Sequence, residues 1–344
     1  MQTKILPLNK SSLKMAKEIL RGGGLVAFPT ETVYGLGANA LNTDAVKSIF
    51  NAKGRPQDNP LIVHLASKHK IKKYVKSING LEHKIIKKFM PGPISLILQK
   101  KDCISNTVTA GLNTVAIRVP LNKQAHKFLK AVNLPISAPS ANTSKRPSPT
   151  NAGDVFEDMN GKIPLIIDGG STDVGVESTV VKVKDNTIYI LRPGKITAQD
   201  LQKATNAKVV DKSILKDGEK PESPGAKYTH YAPKCAMELV MIKNNEKMIE
   251  YCLQKYMGLT NKGGNPVILC SDKNATNYKD VNHITIGKNS NQVCSCIFAT
   301  LRQCEKKFNY IICEFVFGGS MEDALFNRLS KSCGGNIITN TNMQ

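Results

Sequence analysis

Short apolar runs alternate with stretches of helical period along most of the chain, and that alternation restricts it to α/β architectures. Residues 12–20 carry apolar side chains at Leu13, Ala16, Ile19 and Leu20, a helical spacing that Gly22-Gly23-Gly24 ends. Residues 25–28 follow as a buried strand, Thr43 is placed to cap a helix running to Gly54, and 60–65 read as the next strand. A helix over 84–90 stops at Pro91-Gly92-Pro93, and strands are expected at 94–98, 115–119, 164–167, 179–183 and 187–191. A mixed sheet fits this part best. From 211 to 234 the chain turns charged and proline-bearing, with no sustained apolar period, and reads as a linker. Beyond it, strands at 238–242, 266–270, 283–286 and 310–315 alternate with helices at 246–256, 291–307 and 321–331, which predicts a small parallel-sheet domain. The expected division is 1–210, a linker over 211–234, and 235–344.

Charge is distributed unevenly over these parts. Residues 1–150 carry 24 Lys and Arg against 6 Asp and Glu, a net +18, whereas 151–344 carry 24 against 21. A one-signed field favours an anionic partner such as nucleic acid or nucleotide. A lysine-rich coding bias is the plainer explanation, but it leaves unexplained why the second part is spared. No apolar run approaches the roughly 18–20 residues of a membrane span. The start, from Met1 to Pro7, has no apolar core of signal-peptide length, so a cytoplasmic protein without membrane contact is expected. Eight of the nine cysteines lie beyond residue 230, none in a C-x-x-C pair, and the six histidines do not cluster with them. Free thiols in a reducing compartment are expected, and zinc-site spacing is absent.

The common nucleotide and hydrolase signatures are missing: there is no G-x-x-x-x-G-K-[ST], G-x-G-x-x-G, G-x-S-x-G or H-E-x-x-H. What remains is a set of polar segments at expected strand ends. Residues 29–37, Pro-Thr-Glu-Thr-Val-Tyr-Gly-Leu-Gly, offer hydroxyls and glycines that let backbone approach a ligand, or simply a turn that reverses the chain. Lys53-Gly54-Arg55-Pro56 forms either an oxyanion clamp or a helix end whose cations suit the dipole. Residues 135–148 crowd short hydroxyl side chains between prolines, either a ligand-binding edge or a surface loop. His64, alone in its strand, is either a buried structural residue or a ligand contact.

Together and in this order, the segments resemble the threonylcarbamoyl-AMP synthase family, the YrdC-type proteins. The resemblance covers roughly residues 8–205. It rests on P-T-E-T-V-Y-G-L-G at 29–37, K-G-R-P at 53–56, N-P-L-I-V-H at 59–64, P-G-P at 91–93, A-I-R-V-P at 116–120, S-A-P-S-A-N at 137–142, G-V-E-S-T-V at 175–180 and L-R-P-G at 191–194. Residues 223–233, S-P-G-A-K-Y-T-H-Y-A-P, resemble the linker of the family's long form, and the second part resembles its added domain.

The resemblance implies an α/β protein: a twisted mixed-sheet YrdC-like domain with a basic cavity, plus a smaller Rossmann-like domain. It implies a nucleotidyltransferase that condenses L-threonine, bicarbonate and ATP to threonylcarbamoyl-AMP and pyrophosphate, with Mg2+ held mainly through the phosphates. The product would pass to a separate tRNA threonylcarbamoyl transferase; direct contact with tRNA is left open. The family's Lys-x-Arg and Ser-x-Asn signature falls on Lys53, Arg55, Ser140 and Asn142, the expected catalytic residues. These four, with Asn59, Thr114, Ser148, Arg192 and Tyr231, match ATP-contacting positions. Thr32, His64, Arg118, the backbone at Ala138, and Ser178 match positions that hold threonine. Arg118 would meet its carboxylate through the planar fork. Tyr231 would close over the nucleotide, which makes the linker an expected lid. The competing reading is an RNA-binding protein that uses the basic surface without chemistry; aromatics at 6% and no Trp leave it few stacking platforms.

Overall fold

The computed structural model describes residues 2–213 and 230–340, so most of the expected linker and lid lies outside the described residues. Two compact units divide the chain: Met1–Ser144 with Ser148–Tyr228, and Lys145–Pro147 with Thr229–Gln344.

In the first unit, strands β1 (Lys4–Pro7), β2 (Val26–Phe28), β3 (Gly35–Asn39), β4 (Ile62–His64), β5 (Ile94–Gln99), β6 (Thr114–Arg118), β7 (Ile136–Ser137), β8 (Leu165–Asp168), β9 (Thr179–Lys184), β10 (Thr187–Arg192) and β11 (Lys208–Asp211) form one sheet. Their order is β1-β8-β2-β3-β7-β4-β6-β5-β9-β10-β11. The sheet is mixed, as expected: β4 and β6 are parallel, as are β5 and β9, whereas β7 runs antiparallel to both β3 and β4. Helices α1 (Lys10–Arg21), α2 (Thr43–Lys53), α3 (Gly80–Phe89), α4 (Asn106–Thr109), α5 (Lys123–Val132), α6 (Ala152–Met159) and α7 (Ala198–Thr205) connect them. Both faces of the central strands are buried. Ala27 joins one apolar cluster with Leu36, Ile49 and Phe50, while Val26 and Phe28 join another with Phe128 and Leu129. This is why those strands read as continuous apolar runs and not as alternations.

Two inner strands, β3 and β7, are not among those the residue pattern suggests, and neither are the edge strands β1 and β11. Residues 29–37 read as a polar segment, yet Gly35–Asn39 is a strand; within 135–148, Ile136–Ser137 is another. Glycine disfavours strands, so the pattern suggests a turn. Here it is required by packing: a Cβ on Gly37 would lie 2.8 Å from Ile136 Cγ2 and 3.1 Å from Phe28 Cε1. β7 is two residues long and pairs on both sides, Ser137 lying opposite both Ala38 and Val63. A smaller difference concerns α2, whose cap is Asn42 and not Thr43; the Asn42 side chain accepts from the amides of Asp44 and Ala45.

In the second unit, β12 (Ala236–Met241), β13 (Pro266–Cys270), β14 (His283–Thr285), β15 (Tyr310–Glu314) and β16 (Ile337–Thr339) make an all-parallel sheet in the order β14-β13-β15-β12-β16. Helices α8 (Asn245–Thr260), α9 (Ser290–Cys304) and α10 (Glu322–Ser332) complete it. Edge strand β16, half-buried throughout, has too weak an apolar pattern to stand out in the sequence. Glu314 is fully buried at the end of β15, where its carboxylate accepts from Tyr278 Oη, Asn274 Nδ2 and the Ser271 amide, at 2.5, 3.0 and 2.9 Å. Buried charge is tolerated when its lone pairs are matched in this way. All nine cysteines are free thiols. No helix among the described residues is long and apolar enough to cross a membrane.

Candidate active site

The parallel register of β4 and β6 sets His64 directly opposite Arg118, each the last residue of its strand. Ligands of α/β sheets gather at such carboxyl ends. The loop from β2 to β3 is shaped by Thr30, whose hydroxyl donates to Val33 O at 2.6 Å and accepts from the Thr32 amide at 3.1 Å. That turn carries Glu31 and Thr32 to Arg118: Nη1 donates to Thr32 Oγ1 at 2.8 Å, and Nη2 lies 2.8 Å from Glu31 Oε1. The Leu121 amide also donates to Glu31 Oε1, at 3.2 Å. The two charged side chains are only 4% and 6% exposed. Even so, Arg118 Nε and Nη2 and Glu31 Oε2 make no hydrogen bond among the described residues, Nη2 being matched only by the ion pair.

Burial alone would raise the Glu31 carboxyl, but the Arg118 guanidinium and the hydrogen bonds outweigh it and hold the group below the usual carboxylate range. Burial, reinforced by the Arg118 cation, pushes the His64 imidazole down to about 3, against a smaller opposing pull from Glu31. His64 is therefore neutral at physiological pH; its Nδ1 sits 3.2 Å from Ile62 O.

Next along the sheet, Ser95 on β5 and Arg118 on β6 each flank the paired Leu96 and Ile117. Ser95 Oγ is 2.8 Å from Ser178 Oγ, and Arg192, closing β10, donates through Nε to Ser178 O at 3.1 Å and through Nη2 to Ser178 Oγ at 3.3 Å. The structure thus joins Ser178 and Arg192, expected on different substrates, through a direct contact. Ala138 directly follows β7, and its amide donates to Ile62 O at 2.9 Å, so its carbonyl is the group it can present.

The Lys-x-Arg and Ser-x-Asn segments also meet. Gly54, left-handed at φ 61°, ends α2 and turns the chain away, leaving the buried Lys53 aimed inward. Its Nζ donates to the carbonyl oxygens of Ser140 and Asn142, both at 2.5 Å. Ser140 Oγ donates to Asn142 Oδ1 at 2.5 Å, so in this arrangement Ser140 offers lone pairs, and donating to an anion requires its hydroxyl to rotate. Arg55 Nη2 reaches Asn59 O at 3.3 Å, and Asn59 is buried with neither side-chain polar atom hydrogen-bonded among the described residues. Ser148 Oγ donates to Glu177 Oε1 at 2.5 Å, which leaves its oxygen as an acceptor, suited to a ribose hydroxyl or adenine amine. Thr114 opens β6 while Arg118 closes it, roughly 13 Å away at strand rise; the structure does not gather it with the Arg118 cluster. Tyr231 lies in the second unit with φ 66°, buried, its ring stacked on Phe298 at 5.0 Å with the Arg328 guanidinium carbon 5.6 Å from its centroid.

Comparison with known proteins bears on this arrangement. A family model described as "Telomere recombination" matches residues 18–194, and one described as "Threonylcarbamoyl-AMP synthase, C-terminal domain" matches 196–334. The threonylcarbamoyl-AMP synthase of Bacillus subtilis is 42% identical over 97% of this chain and 96% of that protein. The one from Pyrococcus abyssi is 37% identical over 95% of each. The chain belongs to the threonylcarbamoyl-AMP synthase family. The crystal structure of P. abyssi Sua5 complexed with L-threonine superposes with a TM-score of 0.91 at 36% identity, covering 98% of this chain and 99% of that one.

Within this synthase-family fold, three polar residues stand in the clusters without having been singled out from sequence: Glu31, Ser95 and Glu177. Glu31 and Glu177 sit inside quoted motifs, and Glu31 is one of only 6 acidic residues in the first 150. An isolated acid in so basic a stretch was the available signal. Ser95 interrupts the apolar run Ile94-Ser95-Leu96-Ile97-Leu98, where a lone hydroxyl needs a partner.

Proposed function

We propose that this chain condenses L-threonine, bicarbonate and ATP into threonylcarbamoyl-AMP and pyrophosphate. The observation that carries the reading is the junction of the two signature segments, Lys53 bonded to the backbone of Ser140 and Asn142, beside the loop that carries Thr32 and Glu31. The Leu36 amide donates to Pro139 O and the Ala141 amide to Tyr34 O, so the two loops run side by side.

Arg118 receives the threonine carboxylate, with Thr32, Ser178, neutral His64 and the Ala138 carbonyl around the rest of the amino acid. Lys53 and Arg55, with Asn142, take the phosphates, and Asn59, Ser148, Thr114 and Arg192 serve the rest of the nucleotide. The carbamate formed on the threonine nitrogen attacks the α-phosphorus and pyrophosphate leaves. Fixed cations that neutralise the developing charge, and positioning of the two reactants, supply the catalysis. Mg2+ arrives with ATP. Among the described residues no group of three or more His, Cys, Asp or Glu is placed to hold a metal, and Mg2+ commonly relies on substrate phosphates. Tyr231 closes over the nucleotide as part of a lid, and the product passes to a tRNA-modifying transferase.

A grip on RNA without chemistry is the weaker reading, because Lys53 and Arg118 are buried rather than displayed. The decisive assay is pyrophosphate release from ATP and bicarbonate with and without L-threonine. Release that requires threonine, and a threonylcarbamoyl-AMP mass, are expected. Absence of both, with salt-sensitive RNA binding in their place, would reverse the choice.

A further inference from the structure

Arg118 and Glu31 form a buried ion pair that leaves polar atoms on both partners without a hydrogen bond: Nε and Nη2 on the cation, Nη2 standing only at ion-pair distance from Glu31 Oε1, and Oε2 on the anion. Unmatched buried polar atoms are uncommon and call for an explanation. The two side chains are held by separate elements: Arg118 by the end of β6, Glu31 by the β2–β3 loop and the Leu121 amide. The pair is already neutral as a unit, and the adjacent His64 contributes no charge. A ligand bringing only a carboxylate to Arg118 would set two anions against one cation in a place shielded from water. A ligand bringing a carboxylate and an ammonium on the same carbon restores the balance and supplies a partner for each unmatched atom.

We propose that Glu31 Oε2 is the acceptor for the substrate's α-amino group, so that Arg118 and Glu31 together form a receptor for a zwitterionic amino acid. This rests on the reading of Arg118 as the carboxylate site. Glu31 is a binding residue here and not the base that deprotonates the amine: a carboxylate held below its ordinary range by Arg118 has little proton affinity.

The test is calorimetric titration of the full-length protein with three ligands: L-threonine, 3-hydroxybutanoate (the same skeleton without the amine) and 2-aminobutanoate (without the hydroxyl). The wild type should bind threonine at least tenfold more tightly than 3-hydroxybutanoate. Glu31→Gln should weaken threonine and 2-aminobutanoate at least tenfold each, while 3-hydroxybutanoate changes by less than threefold, with an unaltered circular dichroism spectrum. Three outcomes overturn the proposal. Threonine bound by Glu31→Gln as tightly as by the wild type, or more tightly, would make Glu31 a mere counter-charge for Arg118. A variant weakened for threonine but not for 2-aminobutanoate would assign Glu31 to the hydroxyl. Equal binding of threonine and 3-hydroxybutanoate by the wild type decides the matter even if the variant does not fold. A wild type that binds none of the three sinks the underlying amino-acid site, a failure distinct from these.

Discussion

Lys53 Nζ lies 2.5 Å from the carbonyl oxygens of both Ser140 and Asn142, so the cation that ends α2 also pins the turn of a segment remote in sequence. One ammonium would thereby combine two roles, the proposed phosphate-site charge and a fastener of the loop that carries Ser140 and Asn142. Lys53→Met keeps the stem and removes the charge. It should abolish threonine-dependent pyrophosphate release and cost about 1.5–3 kcal/mol of stability, the range for hydrogen bonds to a charged group. Chemical denaturation alongside the pyrophosphate assay checks both, and a fully stable variant would refute the fastening role.

His64 should make stability depend on pH. Its folded value of about 3 lies below the ordinary 6.5, so between those values the unfolded chain binds the extra proton. The stability that neutral His64 supports is complete above pH 6.5 and falls as the pH drops towards 3. The slope is up to about 1.4 kcal/mol per pH unit. Urea titrations at pH 7, 6 and 5, where Glu31 contributes little, should show this slope in the wild type and a flatter one in His64→Gln. Parallel slopes would count against burial of the neutral ring.

Gly37→Ala should destabilise the first unit by about 1–3 kcal/mol through overpacking. The new methyl would meet Ile136 Cγ2 at 2.8 Å, Phe28 Cε1 at 3.1 Å and Val26 O at 3.2 Å, and backbone cannot yield as a flexible side chain does. Gly54→Ala meets nothing within 4 Å and is strained only by its φ of 61°. Paired melting curves of the two variants separate steric from conformational cost, and a harmless Gly37→Ala would contradict the close β3–Phe28 packing.

Tyr231→Ala tests the proposed lid. Loss of a ring that closes over the nucleotide should weaken ATP binding and speed hydrolysis of the adenylate, since closing segments protect labile intermediates from water. Nucleotide titration and the half-life of purified threonylcarbamoyl-AMP on the enzyme are the measurements. Unchanged values for both would leave Tyr231 to its packing on Phe298 alone.

Much of the architecture was legible because its signals are local. The apolar period of α1, and the runs at β5, β6 and β9, depend on residues within a turn or a strand of one another. The same locality misled at β3, where glycines needed for contact with Phe28 mimic a turn, and at β7, whose two residues are too few to show a period. Lys53 illustrates the limit within the site: as a lysine at a helix end it is indistinguishable in sequence from a cation suited to the dipole.

Residue order by itself determined the α/β class, the basic first part and the motif residues. Each of these is a property of near neighbours or of composition. Only the tertiary structure decided which of those residues touch: Lys53 with the 140–142 turn, Ser95 with Ser178, and Glu31 with Arg118. Those meetings are set by strand order and register, which arise from burying both faces of one sheet at once, and such long-range packing leaves no trace in any short window of sequence.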